Sequence, residues 1–547
     1  MQQVSNRRLA NLRTRSETGY DHVIRSLDIQ TPFGQKQVKE TKPFYPGQEK
    51  ELRQELDKIE SMVGFIRGES KAVGVILEAF MVTKDITNTI RKSGSNVLSE
   101  VEIYELKSAL LNTAAIRKAI MGAGCGVPEE FVPLDTEGLL DVLDPRHDRM
   151  NTFYLYDDFS EQLAEYRREK KAADTETRRI NKRRGEELKR KYGIVLTPKF
   201  DIVIGKSSDS LAKAMETDEL EKVSEDYMSV TFSLTANAEV YDLIRKSEEL
   251  TALIDDEEEK VRSALSARIS EDADTLLENF KRIGRLDHVM AKAMYAIRHD
   301  CVKPEITDEH IIEIEDGRNL AVEDILTAKG KKYCPVSITL TEGVTCITGA
   351  NMGGKTISLK LAGLVPVLAQ YGYFVPCRSA RIGLSNFMQI LIGDSQSVER
   401  GLSSFGSEME ELNEILTHAK DRSLILIDEI ASGTNPVEGL ALTKSIVEYL
   451  LRKPYITLIT THFETVTEEK GVRNMQVRGL ANVDFRLLDR ELREATRRER
   501  INIISKYMDY RLYLVDGKRQ IPKDALNIAK MLGISKEIIE GAQKYIK

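Results

Sequence analysis

Tryptophan is absent from this 547-residue chain, and aromatic residues together make up only 6% of it. The five cysteines, Cys125, Cys301, Cys334, Cys346 and Cys377, are scattered without a CxxC pair. That spacing argues against a disulfide framework or a structural zinc and fits a reducing cytoplasm. No run reaches 18 apolar residues. The nearest, Ala362 to Val375, is interrupted by Pro366, Gln370 and Gly372, so no membrane partner is expected. The opening MQQVSNRRLANLRTRSETGY has no apolar core, which excludes a secretory signal of the usual kind. An excess of positive charge is also missing. Eighty Lys and Arg face 87 Asp and Glu, a formal net of -7, so the chain as a whole is not a strongly basic nucleic-acid binder. Hydrophobic residues at 41% and charged residues at 31% are ordinary for folded soluble protein. At about 150 residues per domain, the length predicts three or four domains.

Proline punctuates residues 1–150, at Pro43, Pro46, Pro128, Pro133 and Pro145 among others, and this part reads as a helical domain with loops. It then disappears. Thr152 to Tyr192 has none and a single glycine, Gly185. As a helix this stretch would reach roughly 60 Å. Ala238 to Asp300 also lacks proline, and Leu250, Leu253, Ile254, Val261, Leu265 and Ile269 keep a spacing of three to four residues. We read an arm that runs out over 151–192 and returns over 233–300. Between them, 193–232 changes texture. Phe200, Ile202 and Ile204 alternate, as do Met228, Val230 and Phe232, which predicts a strand pair at the tip. From 301 to 547 strand-like and helical segments alternate, the pattern of a parallel α/β sheet.

That last region carries the chemistry. GVTCITGANMGGKT contains GxxxxGK(S/T): Gly349, Ala350, Asn351, Met352, Gly353, Gly354, Lys355 and Thr356. A β-prone run precedes it and an apolar helical face follows, the strand–loop–helix context that a phosphate-binding loop requires. Glycines let backbone N–H groups approach phosphate oxygens, and the helix N-terminus adds positive potential. Lys355 then bridges the β- and γ-phosphates of ATP, and Thr356 ligates Mg²⁺. Downstream, the apolar strand SLILI ends in Asp428 and Glu429, suited to Mg²⁺ coordination by the first carboxylate and water activation by the second. A third apolar strand, Tyr455 to Thr461, ends at His462, on the same sheet edge as Glu429.

In this order, GANMGGKT, GDSQSVERGLSSFGSEM, LILIDEIASGTNPVEG and TTHFETV resemble the motifs of the MutS family of ATPases. Within it, GGKTISLK, IGDSQS and GTNPVEG look most like the second bacterial subfamily, without its Smr nuclease domain and without a mismatch-reading domain ahead of the core. The resemblance implies an ABC/MutS-type ATPase domain, a helical core and lever arm with the clamp at 193–232, and a C-terminal helix-turn-helix in IPKDALNIAKMLGISKEIIEGAQKYI. It also implies roles. Asn351 touches the phosphates or helps signal nucleotide state, Gln396 senses Mg²⁺ and the attacking water, Glu429 is the general base and His462 the switch histidine. Ser403 reaches the γ-phosphate in the partner subunit of a homodimer, or of a pair with a paralogous MutS-like chain. From the residues alone, Ser403 also serves as an N-cap for the helix that follows. Tyr333, just ahead of the first strand, is a candidate for stacking on adenine. The family's GRHPVVE-like stretch reads Gly317-Arg318-Asn319-Leu320-Ala321-Val322-Glu323 here, and Leu487 to Lys506 looks like an added charged helix.

The arm offers two kinds of partner. Arg167 to Lys191 holds twelve Lys and Arg against five Asp and Glu. Arg178, Arg179, Arg183 and Arg184 are therefore candidate contacts to a DNA backbone, although a solvated face with interleaved ion pairs has the same composition. The tip is acidic, with four lysines against eight carboxylates, and repels phosphates. The alternative to a DNA repair or recombination ATPase is thus a protein client. MutS-like chains without the mismatch domain resemble reactivating factors of adenosylcobalamin-dependent aminomutases.

Overall fold

The long proline-free stretches become helices in the computed structural model, which describes residues 9–124, 126–349, 354–393, 404–480, 485–494, 506–515 and 524–545, with 483, 500 and 503. Ser160 caps the first, Glu161–Tyr192, by accepting the Leu163 N–H, and Gly193 closes it in the left-handed conformation at φ 71°. Asn237 caps the second, Ala238–Glu271, in the same way through Val240. At 32 and 34 residues, each spans about 50 Å. They lie side by side, with Ala173 and Ile180 buried on one and Leu250, Ile254, Val261 and Leu265 on the other. Arg167–Glu258 and Lys246–Glu169 pair across the seam at 2.7 and 2.9 Å. The return was expected as one stretch to Asp300. It breaks at Asp272, and a further helix runs Ala273–Arg298. At the break the Asp272 N–H turns to the Ile269 and Ser270 carbonyls, and its carboxylate pairs with Arg268 at 2.8 Å.

The tip is larger than the strand pair expected from alternation. Strands β1 (Asp201–Gly205), β2 (Leu220–Glu225) and β3 (Ser229–Leu234) form an antiparallel sheet in the order β1-β3-β2, with the helix Ser210–Glu216 between β1 and β2. Ile204, Leu220, Val230, Phe232 and Leu234 close a small core with Leu188 and Ile194. The third strand escaped notice because LEKVSE buries only Leu220.

The remaining strands are β4 (Glu305–Thr307), β5 (Ile311–Gly317), β6 (Val336–Thr341), β7 (Gly343–Thr348), β8 (Ser379–Gly383), β9 (Phe387–Ile392), β10 (Ser423–Asp428), β11 (Tyr455–Thr460), β12 (Arg473–Gly479) and β13 (Asp509–Leu514). Six make the main sheet, in the order β13-β12-β7-β11-β10-β9. All its neighbours are parallel except β13, which runs antiparallel to β12. The expected parallel sheet is accompanied by a second, mixed one, β4-β8-β5-β6. Every residue of β10 and β11 is buried, as continuous apolar strands covered on both faces must be. The helix Lys355–Gln370 is buried almost all round and forms the centre of the largest core.

The chain divides into two compact units, one of 82–121 with 133–282 and one of 1–81 with 122–132 and 283–547. The first 150 residues, expected as a single helical domain, are thus shared between them. The opening segment joins the unit that carries the main sheet. The Leu9 carbonyl accepts the Met388 N–H at 2.8 Å, and Thr14 Oγ1 donates to Gln389 Oε1 at 2.8 Å. Arg13 ties the end of β9, through the Ile392 carbonyl, to Glu411 on the helix Ser404–His418. Glu17 pairs with Lys360 on the central helix. In the other unit Lys107 and Asp144 form an ion pair at 3.1 Å with both side chains 0% exposed.

The charged segment near residue 487 also has a physical account. Leu488 and Leu492 of the helix Phe485–Glu494 pack with Leu480, Met508 and Met531 into a satellite core. Met531 ends the first of the two closing helices, Asp524–Met531 and Lys536–Tyr545. Among the described residues no helix is long and apolar enough to cross a membrane.

Candidate functional site

Register across the main sheet brings the chemical residues together. Asp428 at the end of β10 lies beside Thr460 at the end of β11, and Thr460 lies beside Ile347 of β7. The carboxyl ends of three parallel strands therefore meet at one edge, where open α/β sheets bind ligands. Gly349 leaves β7 at φ 129° and Gly354 enters the helix at φ 80°, both in the left-handed region that glycine tolerates. Ala350, Asn351, Met352 and Gly353 between them lie outside the described residues, as do Gln396 and Ser403.

Lys355, 4% exposed, uses its three ammonium protons on three acceptors. They are the Gly349 carbonyl at 2.9 Å, Glu429 Oε1 at 3.3 Å and His462 Nδ1 at 3.2 Å. Accepting at Nδ1 assigns the His462 proton to Nε2, which donates to Glu429 Oε1 at 2.6 Å. Lysine, histidine and glutamate thus form a closed triangle. The hydrogen bond from His462, aided by the Lys355 charge, holds the Glu429 carboxyl below the usual glutamate range against the opposing effect of burial. Burial lowers the Lys355 ammonium, and the charges of Glu429 and Asp428 offset part of that.

The second half of the site is a hydroxyl–carboxylate pair. Thr356 Oγ1 donates to Asp428 Oδ2 at 2.9 Å. A hydroxyl and a carboxylate converging on one point are hard oxygen donors that fit Mg²⁺. Among the described residues no cluster of three or more His, Cys, Asp or Glu could hold a metal. Mg²⁺ needs none, because it keeps several waters and is usually bound by one or two protein groups plus substrate phosphates. Lys355, Thr356, Asp428, Glu429 and His462, chosen from sequence, are thus gathered in one place.

Other candidates are placed elsewhere. Tyr333 is 6% exposed, and burial pushes its phenol up to about 12, so a base could stack on it only after its surroundings open. An aromatic ring that does lie against the phosphate loop is Tyr510 of β13, whose Cδ1 sits 3.0 Å from where a Cβ on Gly354 would be. On the arm, Arg178 and Arg183 are exposed. Arg179 is exposed but paired with Glu176 at 2.6 Å. Arg184 must be withdrawn as a backbone contact. Its side chain is 10% exposed, and its guanidinium is held by Glu219 at 2.5 Å and the Thr235 carbonyl at 2.6 Å.

Two residues of the site have no sequence signature of their own. Thr460 Oγ1 donates to Asp428 Oδ1, and Glu408 accepts the Ala431 N–H at 3.2 Å just past Glu429. Both are contacts across chain separations of 32 and 23 residues, made only by the fold.

Comparison of the sequence with known proteins identifies relatives. Residues 345–547 match the family model for MutS domain V. "Endonuclease MutS2" of Clostridium botulinum (strain Okra / Type B1) is 33% identical over 297 residues, which cover 53% of this chain and 34% of that protein. "Endonuclease MutS2" of Acetivibrio thermocellus is 34% identical over 293 residues, covering 53% and 33%. "Endonuclease MutS2" of Caldanaerobacter subterraneus subsp. tengcongensis is 31% identical over 316 residues, covering 56% and 36%. The matched part of this chain spans about a third of the length of these curated relatives. With that domain match and that level of identity, residues 345–547 are a MutS domain V, and about half of the chain is similar to endonuclease MutS2.

Proposed function

We propose that this chain is an Mg²⁺-dependent ATPase that works as a dimer and couples ATP binding and hydrolysis to movement of a lever and clamp on DNA. The observation that carries the reading is the Lys355–His462–Glu429 triangle beside the Thr356–Asp428 pair. ATP phosphates would take over the Lys355 ammonium from Glu429 and the Gly349 carbonyl. Glu429, released from that ion pair and still bonded to His462, is then the base that accepts a proton from the attacking water. His462 orients the carboxylate and reports the change of partner. Thr356 and Asp428 would hold Mg²⁺, which when bound neutralises charge on the phosphates. Asn351 at the phosphates, Gln396 at the water and Ser403 reaching into the partner subunit belong to this proposal through the family resemblance.

DNA is the ligand that the resemblance to this family favours, and the exposed Arg178 and Arg183 supply a basic face. The test is ATP hydrolysis with and without linear and branched duplex DNA over a range of salt. Stimulation that falls as salt rises supports the reading. Absence of both binding and stimulation at physiological salt overturns its DNA part.

A specific observation favours a second reading. Arg184 of the arm is spent on Glu219, and two of the four tip lysines, Lys206 and Lys222, are paired with Glu225, so half of the tip's basic groups are neutralised within it. A tip of that kind suits a protein client, such as an adenosylcobalamin-dependent aminomutase in need of reactivation. A pull-down that charge reversals at Glu216, Asp218 and Glu221 abolish would support it.

A further inference from the structure

We propose that Thr460 is a positioning residue for hydrolysis, a single hydroxyl that sets the metal-holding carboxylate and the base together. The inference rests on the ATPase reading above. Thr460 is the last residue of β11 and is fully buried. Its Oγ1 donates to Asp428 Oδ1 at 2.5 Å, and Thr356 donates to the other carboxylate oxygen at 2.9 Å. Asp428 is therefore fixed in rotation from both sides. The same Thr460 oxygen accepts the Glu429 N–H at 3.1 Å, and the Thr460 carbonyl accepts that N–H as well, also at 3.1 Å.

Those bonds act on a backbone that needs holding. Glu429 has φ 51°, in the left-handed region that a residue with a Cβ occupies at a cost. The turn is what aims the Glu429 carboxylate back toward His462 and Lys355 rather than along the strand. One threonine thus fixes the carboxylate of residue 428 and the backbone of residue 429. Two other buried threonines of this sheet are not engaged in this way. Thr457 on β11 and Thr345 on β7 are both buried with hydroxyls lacking any partner. Placement on a sheet strand therefore does not by itself produce the Thr460 bonds.

Valine has the same shape with a methyl in place of the hydroxyl. In Thr460→Val that methyl would sit against Asp428 Oδ1, the carboxylate would have to turn, and the Glu429 N–H would keep only the carbonyl. Serine restores the hydroxyl without the γ-methyl. The test uses the full chain and fluorescent N-methylanthraniloyl-ATP, titrated once with Mg²⁺ and once with EDTA, alongside ATP turnover. A hydrogen bond to a charged group is worth about tenfold to hundredfold. We therefore expect Thr460→Val to lose at least about tenfold of the affinity gained on adding Mg²⁺ and to slow turnover on the order of tenfold to hundredfold. Affinity in EDTA should stay within about twofold of wild type, and Thr460→Ser should recover both losses. The inference is overturned if Thr460→Val keeps both the Mg²⁺ gain and the turnover, if it weakens binding equally in EDTA, or if serine behaves like valine. Wild-type protein that binds nucleotide without hydrolysing it would instead remove the ATPase reading, while the ratio of affinities with Mg²⁺ and EDTA would still report on the Thr460 bonds.

Discussion

Glu429→Gln separates the charge of the triangle from its shape. Glutamine fills the same volume and can still accept from His462 Nε2, now 2.6 Å from Glu429 Oε1. It cannot take a proton from water. Loss of a positioned general base costs about a hundredfold to ten-thousandfold in turnover, or roughly 3 to 5 kcal/mol in the barrier. Binding should respond in the opposite direction. Glu429 now restrains Lys355 from 3.3 Å. The gross attraction at that distance is about 5 kcal/mol for an effective dielectric of 20, and the 30% exposure of the Glu429 side chain screens much of it. Removing the charge frees the lysine for phosphate, so ATP should bind as tightly as in wild type or up to about tenfold more tightly. Single-turnover hydrolysis of labelled ATP, with nucleotide affinity measured in parallel, tests both effects. Turnover within threefold of wild type would show that Glu429 is not the base. A tenfold loss of affinity would show that Lys355 is not held back by it.

The remaining predictions are shorter. Because its hydrogen bond from His462 holds Glu429 below 4.5, the stability that group contributes is present above 4.5 and is lost as pH falls through its lower folded value. Glu429 therefore remains a competent base at pH 5, and a turnover profile whose acid midpoint lies above 5 and disappears in Glu429→Gln would contradict this. Lys107→Ala leaves the buried Asp144 with only Arg149, at 3.7 Å, as a cation and should cost about 3 kcal/mol in urea unfolding. A loss under 1 kcal/mol would mean that water reaches the site. On the arm, replacing Arg178, Lys182 and Arg183 with alanine should flatten the salt dependence of DNA binding by up to about three units, whereas Arg184→Ala should lower stability and leave the slope unchanged. An unchanged slope in the triple variant would remove this face as the DNA contact.

The parts of the site legible in the sequence are those whose chemistry is local. Gly349 to Thr356 needs its glycines and lysine in one turn, and SLILI before Asp428 needs continuous apolar residues because both faces are covered. The parts that were not legible are made between distant positions by ordinary residues. Nothing about a threonine at the end of a β-branched run marks Thr460 as the partner of Asp428. The strand LEKVSE has only two apolar residues, and of these only Leu220 turns inward. Alternation was thus a sound guide to β1 and β3 and blind to β2. The mixed sheet β4-β8-β5-β6 was missed for a different reason: β4 has only three residues, and β8 is separated in the chain from the other three strands by β7 of the main sheet. Arg184 failed as a candidate because charge counting along a helix cannot tell an arginine facing water from one folded back on Glu219.

The strap from Leu9 to Thr18 sets a timetable for synthesis. Thr14 and the Gln389 it bonds are 375 positions apart, and β9 lies on the far side of the whole arm in the sequence. A ribosome adding about 5–20 residues per second needs roughly 20 to 75 s to cover that interval. Throughout it Leu9, Tyr20 and Val23, all buried in the finished protein, have no main sheet to cover them. This segment of the core is therefore made long before the strand that buries it, and that interval is when it would most need a chaperone.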